Sequence, residues 1–145
     1  MLPKPKFTAL DDPLYAYLLA HRSPDDDVVR ELREETARLG GSAVMQVAPE
    51  QATFLRLLVA AIGARQAVEV GTFTGLSALA IARGLPVDGR LLCLDVSEEW
   101  TKLARRAWAK AGVSDRIELR IAPAAETLRA LPEEPRFDFA FIDAD

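Results

Sequence analysis

Cysteine is almost missing from this chain: Cys93 is the only one in 145 residues. A single thiol excludes an internal disulfide framework and any Cys-rich zinc site. Histidine is equally scarce, with His21 alone. Long apolar runs are absent, and none approaches the roughly 20 residues that a membrane span needs. Met1 to Lys6 carries two lysines and two prolines, but no apolar stretch of the secretory kind follows. Positive charge is not in excess: 18 Lys and Arg stand against 22 Asp and Glu, a formal net charge of −4. That balance argues against a basic protein that coats nucleic acid or holds a membrane by charge. It leaves room for a modified tRNA base bound by a local patch. No repeat, low-complexity tract or linker interrupts the chain. What is present is a half-apolar sequence with 28% charged residues, which suffices for a buried core in one domain, 1–145. A cytoplasmic protein with no membrane partner is the expectation.

The pattern along the chain changes near residue 64. Before it, the signals are helical, and residues 1–64 read as an N-terminal helical layer. Asp12 and Pro13 suit a helix start, with Leu14 and Leu18 at i and i+4. Ser23-Pro24-Asp25-Asp26 reads as a second start, where Asp25, Asp26 and Asp27 favour the positive helix end. Val28, Leu32 and Leu39 give that helix a narrow stripe, and Gly40-Gly41 is expected to end it. Pro49 and Glu50 open a third helix, in which Leu55, Leu58, Val59 and Ile62 form a firm apolar face, and Gly63 stops it.

From 65 to 145 strands and helices alternate. The expected strands are Ala67–Val70, Leu91–Leu94, Ile117–Ile121 and Phe137–Ile142. The helices between them run from about Leu76 to Ala82, from an N-cap at Ser97 to Gly112, and from Ala124 to Leu131. This alternation predicts an α/β fold: a Rossmann-like, doubly wound parallel sheet with crossover helices. Leu91–Leu94 and Phe137–Ile142 are apolar throughout, as buried central strands are. Ile117–Ile121 alternates with Glu118 and Arg120, as an edge strand does. Strand order 3-2-1-4 places it there.

Ligands of such sheets bind beyond the carboxyl ends of the strands, near the switch point. The turn there reads Val68-Glu69-Val70-Gly71-Thr72-Phe73-Thr74-Gly75. A dinucleotide fingerprint starting at Gly71 needs glycine at 73 and 76, which hold Phe73 and Leu76. Phe73 hinders the close approach of a pyrophosphate, so NAD and FAD are disfavoured, and a dehydrogenase with them. No Gly-Lys-Ser/Thr follows, so a P-loop is absent. A nucleoside without a pyrophosphate remains. Asp95 ends the second strand and can accept from ribose hydroxyls. Glu69 can accept from an ammonium, and Ser77, early in the next helix, can receive a carboxylate. Ribose, ammonium and carboxylate together describe S-adenosylmethionine (SAM). Each of these acids taken singly has a structural explanation as well.

Several ordered motifs then carry a resemblance. Met45-Gln46-Val47-Ala48-Pro49-Glu50-Gln51, Val68 to Gly75, Leu85-Pro86-Val87-Asp88-Gly89, Ala111-Gly112-Val113 and Phe137 to Asp145 resemble the class I SAM-dependent O-methyltransferases. The subgroup is the metal-dependent one that includes the catechol and caffeoyl-CoA O-methyltransferases. The resemblance runs from about Thr8 to the last residue. It implies methyl transfer to a hydroxyl of a small aromatic or vicinal-oxygen acceptor, assisted by a divalent cation such as Mg²⁺, in a homodimer. By position it implies that Val47 lines the methionine end of the cofactor and Glu69 meets its amino group. Gly71 and Thr72 give backbone contacts, and Ser77 binds the carboxylate. Asp95 binds the ribose, Val96 lies beside the adenine, and Ala122 and Ala124 border it. Asp143 is the implied catalytic and metal-ligating residue near the cofactor.

The chain departs from the family pattern in three places. Leu76 stands where the family usually has Tyr, and Ala122 where it has Gly. The family follows its Asp-Ala-Asp, 143–145, with a lysine and a downstream Asp-Asn pair. Those lie past Asp145, so the chain is expected to be the cofactor half of a larger sheet, cut after its fourth strand. A nucleoside-binding module without catalysis is the alternative. The remaining features have duller readings. His21 suits a helix end, and Cys93 reads as a core thiol. Lys102, Arg105, Arg106 and Lys110, with Trp108 nearby, read as a solvated helix face rather than an RNA patch.

Overall fold

The computed structural model describes residues 8–134 and 136–144. Asp145, the second acid of the Asp-Ala-Asp motif, and the lysines of Met1–Lys6 lie outside them. Four parallel strands form one sheet: β1 (Gln66–Val70), β2 (Arg90–Asp95), β3 (Ile117–Ile121) and β4 (Phe139–Ile142). Their order is β3-β2-β1-β4, as the alternation predicts. Crossover helices α4 (Leu76–Gly84), α5 (Glu98–Lys110) and α6 (Ala124–Arg129) join them. The N-terminal helices are α1 (Asp12–His21), α2 (Asp27–Ala37) and α3 (Pro49–Ala61), with a 3-10 turn over Gly40–Met45. No helix among the described residues is long and apolar enough to cross a membrane.

The sheet's two faces are covered unequally. Ala67, Leu91 and Cys93 point into the larger core, with Leu32, Leu55, Val59, Leu79 and Ile81 from the helices. The other face buries only Val68, Leu92 and Leu94, against Ala124, Leu131 and Phe137. Strands β1 and β2 read as continuous apolar runs because both faces are covered. Cys93 is wholly buried, and burial pushes its thiol well above the ordinary value, as befits a core residue.

Several local expectations are corrected. Asp11, not Asp12, caps α1 through the Leu14 amide. Asp26, not Ser23, caps α2 through Val29. Asp25 does more than favour a helix end: it accepts from Arg22 and Arg33, each at 2.6 Å, and Arg22 foremost holds its carboxyl below the usual range. Helix α2 stops at Ala37, before the glycines, and Gly40 opens the 3-10 turn instead. Ile62 is exposed just past the end of α3, where it no longer faces the core. Strand β4 starts at Phe139 rather than Phe137, and it pairs with β1 alone, at the edge that order 3-2-1-4 gives it among the described strands. Lys102, Arg105, Arg106 and Lys110 are exposed, as a solvated face requires, and two of them, Arg106 and Lys110, also pair with Glu35 and Glu31 of α2. Trp108 lies in the core.

Candidate functional site

A cleft of about 720 Å³ opens at the carboxyl ends of β1, β2 and β4. Its floor is the Gly71–Gly75 turn between β1 and α4. Gly71 has φ +87°, and a Cβ there would lie 2.3 Å from the Asp143 carbonyl oxygen. Only glycine lets this turn nest against the turn after β4. The Asp143 amide in turn donates to the Val70 carbonyl at 2.9 Å. The two strand ends are thereby locked side by side.

Asp95 holds the same turn from the other side. Its Oδ2 accepts from the Thr72 and Phe73 amides at 2.8 and 2.7 Å, and its Oδ1 from the Ser97 amide at 2.7 Å. A carboxylate offers roughly four acceptor positions, so one remains for a ligand hydroxyl. Asp95 is thus a brace for the turn with one acceptor position to spare. The spacing from Gly71 suggests a ribose acceptor and conceals the brace.

Glu69 lies under this turn, wholly buried, and neither of its carboxylate oxygens has a hydrogen-bond partner. The Thr72 hydroxyl is unpartnered too. Burial pushes the Glu69 carboxyl up to about 7, while the nearby Ser77, Thr72 and Cys93 side chains favour the anion. Burial without a partner favours the neutral acid, and a cation set against it would favour the carboxylate.

Val47, Gly71, Thr72, Ser77, Asp95, Val96, Ala122, Ala124 and Asp143 all line the cleft. Glu69 is the one expected site residue that does not; it sits behind Thr72 and Ser77, which do. Asp143 is exposed at the rim. Among the described residues no three His, Cys, Asp or Glu side chains gather into a metal site. Mg²⁺ takes six oxygens, and Asp143 offers one side chain, so the described residues do not fit that ion by themselves.

Composition and motif reading missed several supporting residues. Trp108 donates from Nε1 to the Gly75 carbonyl at 3.1 Å and so fixes the far end of the turn. Thr36 donates to the Leu32 carbonyl and shares a 2.8 Å hydroxyl contact with Thr74. Gln46 Nε2 donates to both threonines, at 2.8 and 3.1 Å. Through this buried node α2 and the 3-10 turn grip the floor of the cleft. Only a threonine between two glycines hints at it in the sequence.

A family model described as O-methyltransferase matches residues 20–145. The chain is 39% identical over 132 to 141 residues to relatives such as the caffeoyl-CoA O-methyltransferase of Eucalyptus gunnii, covering 92% of this chain and 55% of that protein. It is 41% identical over 138 residues to catechol O-methyltransferase domain-containing protein 1 of Mus musculus, covering 93% and 52%. It thus spans about half the length of the curated relatives it matches. An O-methyltransferase of Bacillus cereus solved in complex with SAH superposes with a TM-score of 0.80 at 37% identity, covering 90% of this chain and 60% of that one. TomG of Streptomyces achromogenes, solved with SAM, gives 0.81 at 29% identity, covering 89% and 58%.

Proposed function

The chain belongs to the O-methyltransferase family, and on that premise we propose that its cleft binds SAM and delivers the methyl group to a hydroxyl of a small acceptor. The observation that carries this reading is the Asp95-braced glycine turn lying over the unpaired Glu69 carboxylate. A cofactor with an ammonium, a carboxylate and a ribose suits that arrangement. Glu69 would receive the ammonium from beneath, with the Thr72 hydroxyl beside it. Ser77 and the first amides of α4 would take the carboxylate, while Gly71 and Thr72 present backbone groups and Val47 packs on the methionine chain. Asp95 would accept from the ribose. Val96, Ala122 and Ala124 would border the adenine.

The reaction is an in-line displacement. The acceptor oxygen bonds to the methyl carbon, the carbon–sulfur bond breaks, and its electron pair stays on sulfur, giving S-adenosylhomocysteine (SAH) and a methyl ether. The chain's contribution is mainly positioning. Asp143, beside Gly71 at the rim, would draw off the acceptor's hydroxyl proton. A divalent cation such as Mg²⁺ would need ligands beyond the described residues in addition to Asp143, and no step is routed through it. Aromatic acceptors with vicinal oxygens fit the names of the relatives. A homodimer in the cytoplasm belongs to the same proposal, and the uncovered apolar residues of α1 favour self-association.

Binding without catalysis is the second reading, favoured by the lone rim carboxylate among the described residues. Calorimetric titration with SAH is the deciding experiment, followed by transfer of a labelled methyl group to catechol with Mg²⁺. One-to-one binding with label transfer is expected. Binding without transfer points to the module, and no binding by well-folded protein overturns both.

A further inference from the structure

A second cavity, of about 560 Å³, lies at the opposite end of the sheet from the first cleft and shares no lining residue with it. It opens at the amino ends of β1, β2 and β3, where Gln66, Arg90 and Ile117 begin the strands. Its volume is that of a small-molecule site. Methyl transfer makes no use of it.

Four arginines line this cavity, Arg90, Arg116, Arg120 and Arg136, against two acids, Asp115 and Glu118. The chain as a whole carries a net charge of −4, so the positive charge here is local. Glu118 is already engaged and accepts from Arg120 Nε at 2.7 Å. Among the described residues Arg90, Arg116 and Arg136 form no ion pair. The acids near them in the sequence are committed elsewhere: Asp88 to the Arg65 guanidinium, and Asp138 to the amides of Arg65 and Gln66.

Strand register sets two of these arginines side by side. Leu91 of β2 stands beside Ile117 of β3, so the residues just before them, Arg90 and Arg116, are neighbours across the strand gap. Adjacent like charges repel, and an anion between them relieves the repulsion. Arg116 is half-buried and donates from Nη1 to the Leu85 carbonyl at 3.3 Å, while Arg90 Nη1 donates to the Gly89 carbonyl at 2.9 Å. Each guanidinium has five N–H donors, so most remain for a ligand. The floor is apolar: Leu92 is buried there, with Leu131 and Phe137 packed against its cluster. Arginine forks match a phosphate, and a floor with an aromatic ring matches a flat apolar body.

We propose that this cavity is a second binding site, for an organic phosphate. Arg90, Arg116 and Arg136 hold the phosphate, and Leu92, Leu131 and Phe137 take the apolar body. The site is independent of the reading of the first cleft.

Calorimetric titration with 1-naphthyl phosphate at low salt, with and without saturating SAH, tests the proposal. One-to-one binding is expected, indifferent to SAH and weaker as salt rises. Inorganic phosphate and 1-naphthol each lack one half of the ligand and should each bind at least about tenfold more weakly. Arg90 and Arg136 are exposed, so Arg90→Ala and Arg136→Ala should fold, and each should lower affinity about tenfold. Arg105→Ala, an exposed arginine of α5 that lines neither cavity, should change nothing. Loss of binding when SAH is present would place the ligand in the first cleft. Equal affinity in the double variant Arg90→Ala/Arg136→Ala, an equal loss in Arg105→Ala, or inorganic phosphate binding as tightly would reduce the effect to general surface charge. Each of these, or no binding at millimolar 1-naphthyl phosphate, overturns the proposal and leaves the SAM reading untouched.

Discussion

Helices α1 and α4 are alike in length and in apolar content and opposite in fate. Helix α1 has ten residues, DPLYAYLLAH, and buries none of them. Helix α4 has nine, LSALAIARG, and buries seven. The difference comes from connection. Helix α4 is the crossover between β1 and β2, so the chain must lay it on the sheet, where α3 and α5 close over it. Helix α1 precedes the sheet and rests chiefly on α3, with Leu18 still 42% exposed. Apolar content states what can be buried; topology decides what is. The Gly71–Gly75 turn leads straight into this buried helix.

The comparison can be tested by substitution. Leu79→Ala in α4 removes a side chain that is 1% exposed and should cost about 2–5 kcal/mol. The matched change Leu18→Ala in α1 should stay within about 0.5 kcal/mol. Urea unfolding of both variants measures the pair, and similar losses would break the contrast.

Gly71→Ala attacks the turn that feeds α4. Its Cβ would meet the Asp143 carbonyl, in a backbone conformation that alanine resists, so a loss of about 2–4 kcal/mol is expected. Calorimetry should also show SAH binding gone, even below the melting temperature of the variant.

Glu69 gives a pH test. The folded protein raises its carboxyl from 4.5 to about 7, so between those values the native state holds a proton that the unfolded chain has released. The stability from this group is complete below about pH 4.5 and is lost as pH rises through 7, by up to about 3 kcal/mol. Melting of ligand-free protein from pH 5 to 8 should show that decline, and Glu69→Gln should flatten it. An unchanged slope would mean that another group is responsible.

The smallest effect concerns the bond between the helical layer and the turn. Thr36→Val strips the shared hydroxyl from Thr74 and Gln46 and should cost about 1–2 kcal/mol. Weaker SAH binding without displacement of α4 would show that the N-terminal layer sharpens the site rather than builds it.

Much of this was legible along the chain, but selectively. Strand identity, sheet order and the Gly71–Gly75 turn follow from local texture and backbone geometry. Nine of the expected site residues gather at one cleft because parallel strands all end on the same side. The long-range partners were not legible. Asp95 reaches amides more than twenty residues back, and Trp108 reaches Gly75 across 33 residues. Asp25 looks like a helix-end charge until Arg22 and Arg33 converge on it, and Lys110 gives no sign of its pairing with Glu31 of α2. Strand β4 is apolar throughout although it is an edge among the described strands, because an apolar run reports what a strand is suited to touch, not what touches it.

The order of apolar and polar residues therefore determined, by itself, the parallel sheet, its winding and the end of the sheet at which the cleft opens. Periodicity and turn chemistry are local, and one chain carries them whole. The tertiary structure alone decided that Glu69 is buried without a partner, that Asp95 braces the glycine turn, that Phe73 is bent against Trp100, and that α1 stays uncovered. Each of these depends on which distant surface comes within a few ångströms, and only the folded chain brings those surfaces together.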